Sequence, residues 1–299
     1  MTRSGGASQP IGAVRRELAA LGRRPRKRLG QHFLAHTDTA RRIVDLAGLT
    51  ATDRVVEIGP GLGALSGPLV ERAAAVWLIE VDADLAARLR DQYAAQPQVH
   101  VVHADALNVD FASLLGPGAP AVVVANLPYN IATAVLLRLL NQRACFSRFV
   151  LMLQREVADR LRARPGNKDY AALSVLTQFA ARVQHGLRVS PEAFVPRPKV
   201  ESEVVIVEPY AAPPVEVNDP AHFTRLVRTV FTQRRKQLAN SLRLVCNDPL
   251  TALRAAQIDP MRRPETLTLA EFAALANVVV PNRLQNTEHR AQTKEEQDS

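Results

Sequence analysis

The sequence predicts a doubly wound α/β domain followed by a small helical domain. Three observations carry this. Short, wholly apolar runs alternate with helix-length segments between Asp53 and Val207, the pattern of a mainly parallel sheet covered on both faces. The first of those runs empties into a glycine loop, Gly59-Pro60-Gly61-Leu62-Gly63. After Glu208 a proline-rich stretch, EPYAAPPVEVNDP, gives way to helical periodicity alone from Ala221 to Val280.

The elements follow in order. Residues 1 to about 20 are rich in Gly, Ser, Ala and Arg, so a flexible basic tail is expected over 1–22. The α/β domain is expected over 23–210. Its strands are read at Asp53–Ile58, Ala75–Val81, Val99–His103, Ala121–Ala125, Phe149–Leu153, Arg182–Val189 and Glu203–Val207, where apolar runs of strand length recur. Helices are read at Ala64–Ala73, Ala83–Tyr93, Ile131–Leu140, Arg155–Arg162 and Tyr170–Ala181. The helical domain is expected over 211–281. There Phe223, Leu226, Val227, Val230 and Phe231 form one apolar stripe at helical spacing, and Arg225, Arg228 and Arg235 lie off it. The polar stretch 282–299 is expected to be disordered.

Composition narrows the function classes. With 299 residues and 47% hydrophobic content the chain can bury a substantial core. No run of 18 apolar residues indicates a membrane span, and no apolar region near the N-terminus indicates a secretory signal. Two distant cysteines, Cys145 and Cys246, fit a reducing cytoplasm and neither a disulfide framework nor a zinc site, so no metal is expected. The histidines of VHVVH, His100 and His103, face opposite sides of a strand and read as structural.

The net charge of +9 is concentrated. Arg23, Arg24, Arg26, Lys27 and Arg28 stand within six residues, and Pro220 to Asn247 holds no acid while carrying Arg225, Arg228, Arg234, Arg235, Lys236 and Arg243. Either block alone is equally a solvated tail or helix face. Together they favour a nucleic-acid partner.

VVEIGPGLGALS, Val55 to Ser66, is a strand, a glycine loop and a helix start. Glycine is needed where a backbone turns sharply or a ligand comes closer than a Cβ allows. About twenty residues on, WLIEVD places Glu80 at the end of the second strand, where a carboxylate can accept both hydroxyls of a ribose. Gly59-x-Gly61-x-x-Ala64 alone also satisfies a relaxed NAD fingerprint. Two acids shift the reading: Glu57 stands where that fingerprint has an apolar residue, and HADAL places Asp105 at the end of the third strand, able to accept from an adenine amine. S-adenosyl-L-methionine has ribose and adenine but no pyrophosphate, and is the ligand expected.

The fourth strand ends in VANLPYNIAT, Val124 to Thr133. A turn needs Asn or Pro, but not an aromatic beside both. An adenine amine is a poor nucleophile because its lone pair is delocalised into the ring. Two acceptors, the Asn126 side-chain oxygen and a Leu127 or Pro128 carbonyl, would favour a pyramidal nitrogen whose lone pair is free to attack. Pro128 fixes the backbone in advance, and Tyr129 offers a face on which an extruded base can stack. Asn126-Leu127-Pro128-Tyr129 resembles the amino-methyltransferase signature in the form typical of adenine-N6 enzymes acting on ribosomal RNA. The fold expected is therefore a Rossmann-like, doubly wound methyltransferase sheet with a small all-helical C-terminal domain.

Eight blocks in order make the resemblance specific: RKRLGQHFL, VVEIGPGLGALS, IEVDADLAARL, ADAL, ANLPYNIAT, MLQREVADRL, VPRPKVESEVV and FTQRRKQLANSL. From about Pro25 to Pro281 the chain closely resembles the KsgA/RsmA family, the bacterial small-subunit ribosomal RNA adenine dimethyltransferases. The resemblance implies dimethylation of two adjacent adenosines in a hairpin loop near the 3′ end of 16S rRNA, in a 30S particle, with a role in ribosome assembly and in kasugamycin sensitivity. It also implies cofactor contacts at His32, Leu34, Gly59, Glu80, Asp105 and Asn126, to which the glycine loop adds Gly61. His32 departs from the Asn frequent in the family, which is harmless if that contact is made by the backbone and alters cofactor affinity if it is made by the side chain. Phe194 matches an aromatic expected to hold the target base opposite Tyr129; its residues alone read equally as a hydrophobic anchor. Gln154-Arg155-Glu156 falls near the active-site mouth in the family, with no role assigned. A cytoplasmic monomer is expected.

Two alternatives stand beside this reading. The 23S rRNA dimethyltransferases of macrolide resistance share the catalytic blocks, though Arg234-Arg235-Lys236 and the long helical domain favour the 16S enzymes. A ribosome-assembly binding factor is the other, against which stand the intact Asn126, Pro128, Tyr129 and Glu80. An NAD-dependent oxidoreductase has no use for Asn-Leu-Pro-Tyr.

Overall fold

The structure, a computed structural model, describes residues 11–26 and 29–280. Lys27, Arg28 and the tail expected over 282–299 lie outside the described residues. The described chain divides into two compact units. One runs to Asp159 and takes in Ala181–Ala211; the other holds Arg160–Ala180 and the residues from Ala212.

In the first unit the strands are β1 (Phe33–Leu34), β2 (Arg54–Ile58), β3 (Ala75–Glu80), β4 (Val99–His103), β5 (Ala121–Asn126), β6 (Phe146–Gln154), β7 (Ala181–Val189), β8 (Phe194–Val195) and β9 (Ser202–Pro209). Seven of them form a sheet in the order β4-β3-β2-β5-β6-β9-β7. The first five in that list are mutually parallel, and β9 runs antiparallel to both β6 and β7. The apolar runs predicted this: Val55, Val56, Val123, Val124, Phe149, Val150 and Leu151 are all fully buried, so successive residues pointing to opposite faces both find cover. Strand order reverses between β2 and its neighbours β3 and β5, the place where such sheets open a crevice beyond their carboxyl ends.

The helices of this unit are α1 (Ile11–Ala20), α2 (Thr37–Asp45), α3 (Ser66–Val70), α4 (Ala83–Gln92), α5 (Phe111–Leu115) and α6 (Ala132–Asn141). Asp82 caps α4 through the amides of Asp84 and Leu85, and Asp110 caps α5 through those of Ala112 and Ser113. The flexible tail expected over 1–22 is corrected in part. Val14 and Leu18, four residues apart on α1, are buried with Phe33, Leu85 and Val195, and that apolar stripe gives the helix its hold. α7 (Arg155–Arg162) spans the division between the units.

The second unit contains α8 (Ala172–Ala180), α9 (Pro220–Thr232), α10 (Leu238–Leu242), α11 (Pro249–Ala255) and α12 (Leu269–Val278). Phe223, Leu226, Val227 and Val230 of the predicted stripe are buried, with Phe223 against Phe179 of α8 at 4.5 Å between ring centroids. That contact explains why the boundary is not single. α8 precedes β7 in the chain, but its apolar side belongs to the helical core, so the expected division at 210/211 is only one of the crossings. Asp219 and Asp248 cap α9 and α11, and Thr268 with Glu271 forms a capping box on α12. No helix among the described residues is long and apolar enough to cross a membrane.

Candidate active site

The carboxyl ends of β2, β3, β4 and β5 open into a cleft of about 930 Å³ of empty space, continuous with solvent. Its lining brings together Gly59 and Gly61 after β2, Glu80 at the end of β3, Asp105 after β4 and Asn126, Leu127, Pro128 and Tyr129 at the end of β5. His32, just before β1, and Leu34 within it line the cleft as well. Sequence reasoning named all of these.

The loop is shaped by its glycines. Gly59 and Gly61 have φ of 68° and 57°, in the left-handed region, and a Cβ on Gly61 would lie 3.0 Å from the Phe33 ring. The Gly61 amide donates to Glu80 Oε2 at 3.0 Å, and the Asp82 amide donates to Glu80 Oε1 at 2.9 Å. Glu80 is only 4% exposed, and burial, helped by the neighbouring Asp82, raises its carboxyl above the ordinary range against the pull of these amides. Each carboxylate oxygen has two lone-pair directions, so Glu80 keeps acceptor capacity beyond these two amides. Asp105 holds its own turn through the Leu107 amide, which donates to Oδ1 at 2.9 Å. A glycine cradle that a side chain would fill, beside one acid at each of two successive strand ends, fits a ribose and an adenine.

Beneath the loop lies a group to which the sequence reading gave no role. Glu57 is 1% exposed and accepts from Ser66 Oγ at 2.6 Å. Burial pushes its carboxyl up to about 8, against that hydrogen bond and with a smaller push from Glu80. The Tyr93 phenol is pushed up to about 12, again chiefly by burial and then by the Glu57 carboxylate.

Hydrogen bonds tie the turn at the end of β5 to other parts of the chain. Asn126 Nδ2 donates to the His32 carbonyl at 2.9 Å, so Oδ1 is the end left to accept from the cleft. The Pro128 carbonyl accepts from the Ile131 amide at 3.1 Å and closes the turn into α6. The Pro128 carbonyl thus spends one of its two acceptor directions inside the chain. The Leu127 amide donates to the Met152 carbonyl at 3.3 Å and ties the motif to β6. The Tyr129 hydroxyl shares a 2.6 Å hydrogen bond with Ser202 Oγ, at the start of β9 and fully buried. Burial raises the Tyr129 phenol above its ordinary range. Its ring stacks on His32. Neither Ser202 nor the His32 ring was singled out as a partner of Tyr129, because 73 residues of chain separate Tyr129 from Ser202 and no local pattern joins them.

Three groups of expected site residues have surroundings the sequence does not announce. Phe194 is 2% exposed in the main core with Leu34, Val189 and Ala193, pairs with Leu34 across β1 and β8, and does not line the cleft. Those surroundings are the ones a hydrophobic anchor has. Arg23 and Arg26 are ion-paired within the chain: Arg23 Nη1 lies 2.7 Å from Asp82 Oδ1 and also pairs with Asp84, and Arg26, its side chain 40% exposed, lies 3.0 Å from Asp82 Oδ2. Asp82 is 1% exposed and needs those partners. Arg234 donates to Glu265 at 2.9 Å and to the Lys168 carbonyl at 2.6 Å, bracing the helical unit. Arg24, Arg228, Arg235 and Lys236 are exposed and Arg225 is half-buried. Of Gln154-Arg155-Glu156, Gln154 pairs with Ser202 across β6 and β9, and Arg155 bridges Glu201 at 2.7 Å and Asp159 at 3.7 Å.

Residues 22–280 match the family described as ribosomal RNA adenine dimethylase. A protein of Magnetococcus marinus named ribosomal RNA small subunit methyltransferase A is 46% identical over 271 residues, covering 90% of this chain and 97% of its own length. The crystal structure of the 23S rRNA methyltransferase ErmE is similar with a TM-score of 0.61 at 27% identity, over 83% of this chain and 99% of that one. A dimethyladenosine transferase from Plasmodium falciparum shares the fold, with a TM-score of 0.69 at 24% identity over 82% and 96% of the two chains.

Proposed function

The chain belongs to the ribosomal RNA adenine dimethylases, and from that premise we propose that it dimethylates two adjacent adenosines in a hairpin loop near the 3′ end of 16S rRNA, in the small ribosomal subunit. The observation that carries the reading is the turn at the end of β5. With Nδ2 committed to the His32 carbonyl, Asn126 Oδ1 joins a Leu127 or Pro128 carbonyl as a pair of acceptors at the wall of the glycine-loop cleft. Two acceptors set by backbone and by a fixed amide suit the two N–H bonds of an adenine amine. They withdraw the lone pair from conjugation before any reaction begins, which is preorganised electrostatic stabilisation. Tyr129 supplies the stacking face for a base taken out of its helix.

S-adenosyl-L-methionine is the proposed cofactor, and it supplies an electrophilic methyl group. Glu80 would hold its ribose hydroxyls, Asp105 its adenine amine, and Gly59 and Gly61 the close approach of the backbone. Arg24, Arg225, Arg228, Arg235 and Lys236 are proposed to meet RNA phosphates, and Lys27 and Arg28 remain in that proposal on sequence alone. The protein is proposed to act as a cytoplasmic monomer. The small-subunit target is favoured over a large-subunit one because a relative 46% identical along 97% of its length carries the small-subunit name, against 27% for the 23S enzyme. The test is transfer of labelled methyl to unmethylated 30S and 50S particles in parallel, with nucleoside analysis. N6,N6-dimethyladenosine in 16S rRNA alone is expected; label in 23S rRNA, or none in either, overturns the proposal.

A further inference from the structure

The His32 imidazole lies against Tyr129, with ring centroids 5.2 Å apart and planes inclined by 28°. It is not loosely placed there. β1 and β8 pair with Phe33 opposite Val195, which sets His32 beside Pro196. His32 Nδ1 stands 2.7 Å from the Pro196 carbonyl oxygen. A carbonyl oxygen only accepts, so Nδ1 carries the proton and the ring orientation is fixed. At the other end the His32 carbonyl receives Asn126 Nδ2. One residue is thus joined to both halves of the amine site, to Asn126 through its backbone and to Tyr129 through its ring. Tyr129 in turn is pinned at its hydroxyl by Ser202.

We infer that the His32 ring is a backing plate that fixes Tyr129 and leaves one face of the phenol for the target base, making His32 a positioning residue for RNA rather than a side-chain ligand of the cofactor. A base does not fit between the two rings. Sandwiching it there needs about twice the ~3.5–4 Å separation of carbon atoms in contact, more than the 5.2 Å available. The base must therefore take the opposite face, and the imidazole stops the phenol from tilting away as it arrives. The inference rests on the base-stacking role proposed above for Tyr129.

The test is steady-state methyl transfer to unmethylated 30S particles by full-length wild type, His32→Ala, His32→Asn and His32→Phe, with cofactor affinity measured separately by calorimetry. An aromatic pair of this kind corresponds to about 2- to 12-fold in an equilibrium. His32→Ala and His32→Asn are expected to raise KM for the particle about fivefold, with kcat lowered less than KM is raised and cofactor Kd within about twofold of wild type. His32→Asn can still donate to Pro196, so it separates the hydrogen bond from the stack. His32→Phe keeps the stack, loses the hydrogen bond, and is expected to restore the wild-type KM. An unchanged KM in His32→Ala alongside active wild type would overturn this inference alone, as would a raised cofactor Kd at constant particle KM. Absence of transfer by wild type would overturn the function it rests on.

Discussion

Replacing Glu80 by alanine probes how the cleft holds its cofactor. Glu80 is 4% exposed and receives two backbone amides, from Gly61 at 3.0 Å and Asp82 at 2.9 Å, on separate oxygens. It lines a cleft where ribose hydroxyls are proposed to donate. A hydrogen bond to a charged group contributes about 1.5–3 kcal/mol. Loss of two such bonds to ribose, partly compensated by water entering an open cleft, corresponds to about 3 kcal/mol, or roughly 100-fold in Kd. Loss of the two amide contacts loosens the Gly61 turn and adds to that effect. The reacting amine is proposed to sit at β5, two strands away, so kcat at saturating cofactor is expected to fall only a few-fold. The assay is calorimetric titration of S-adenosylmethionine into wild type, Glu80→Ala and Glu80→Gln, with methyl transfer followed over a wide cofactor range. Glu80→Gln keeps the shape and one acceptor, and should fall between the other two. An unchanged Kd with a collapsed kcat would refute the ribose assignment.

The other predictions concern groups whose environments differ from what their residue types alone imply. Glu57 has its carboxyl at about 8 in the folded chain against an ordinary value of 4.5. The unfolded chain ionises first, so the stability this group confers is fully present below 4.5 and falls as pH rises through 8. Glu57→Gln removes that titration and should gain on wild type by a few kcal/mol between about pH 5 and about pH 8.5, on the order set by the shift; equal denaturation midpoint differences at both pH values would contradict it. Arg235→Ala with Lys236→Ala should flatten the salt dependence of particle binding, lowering the log–log slope by about 1.5–2, and an unaltered slope would move the phosphate contacts elsewhere. Arg23→Ala, by contrast, should leave that slope alone and lower folding stability by about 1–3 kcal/mol, since it removes partners of the buried Asp82. A changed slope at constant melting temperature would restore Arg23 to the RNA face.

Much of this was legible in the sequence wherever local pattern and tertiary role coincide. The strands are runs such as AVVVAN (Ala121 to Asn126) and FVLMLQ (Phe149 to Gln154), apolar without alternation because both faces are covered. Their ends then place Gly59, Glu80, Asp105 and Asn126 along one crevice. The first helix was missed although Ile11, Val14 and Leu18 are spaced for one face; its Arg and Ala content masked a stripe only three residues wide. The basic residues were read by charge, which cannot tell Arg235 in solvent from Arg234 braced on Glu265, or from Arg23 paired with an Asp 59 residues away. Phe194 was read by its place in a motif, while its partner across the β1–β8 ladder, Leu34, sets it in the core. The stack of His32 on Tyr129 depends on a two-strand pairing that no periodicity announces.

The central claim is that the turn at the end of β5 holds the amine, and Asn126→Ala tests it most directly. The substitution removes both the Oδ1 acceptor and the Nδ2 bond to the His32 carbonyl. Single-turnover transfer to unmethylated 30S particles, measured with the variant saturated in S-adenosylmethionine, is predicted to fall by about 100-fold or more, as for loss of one preorganised polar group, with cofactor binding still measurable. Transfer at the wild-type rate would contradict the account.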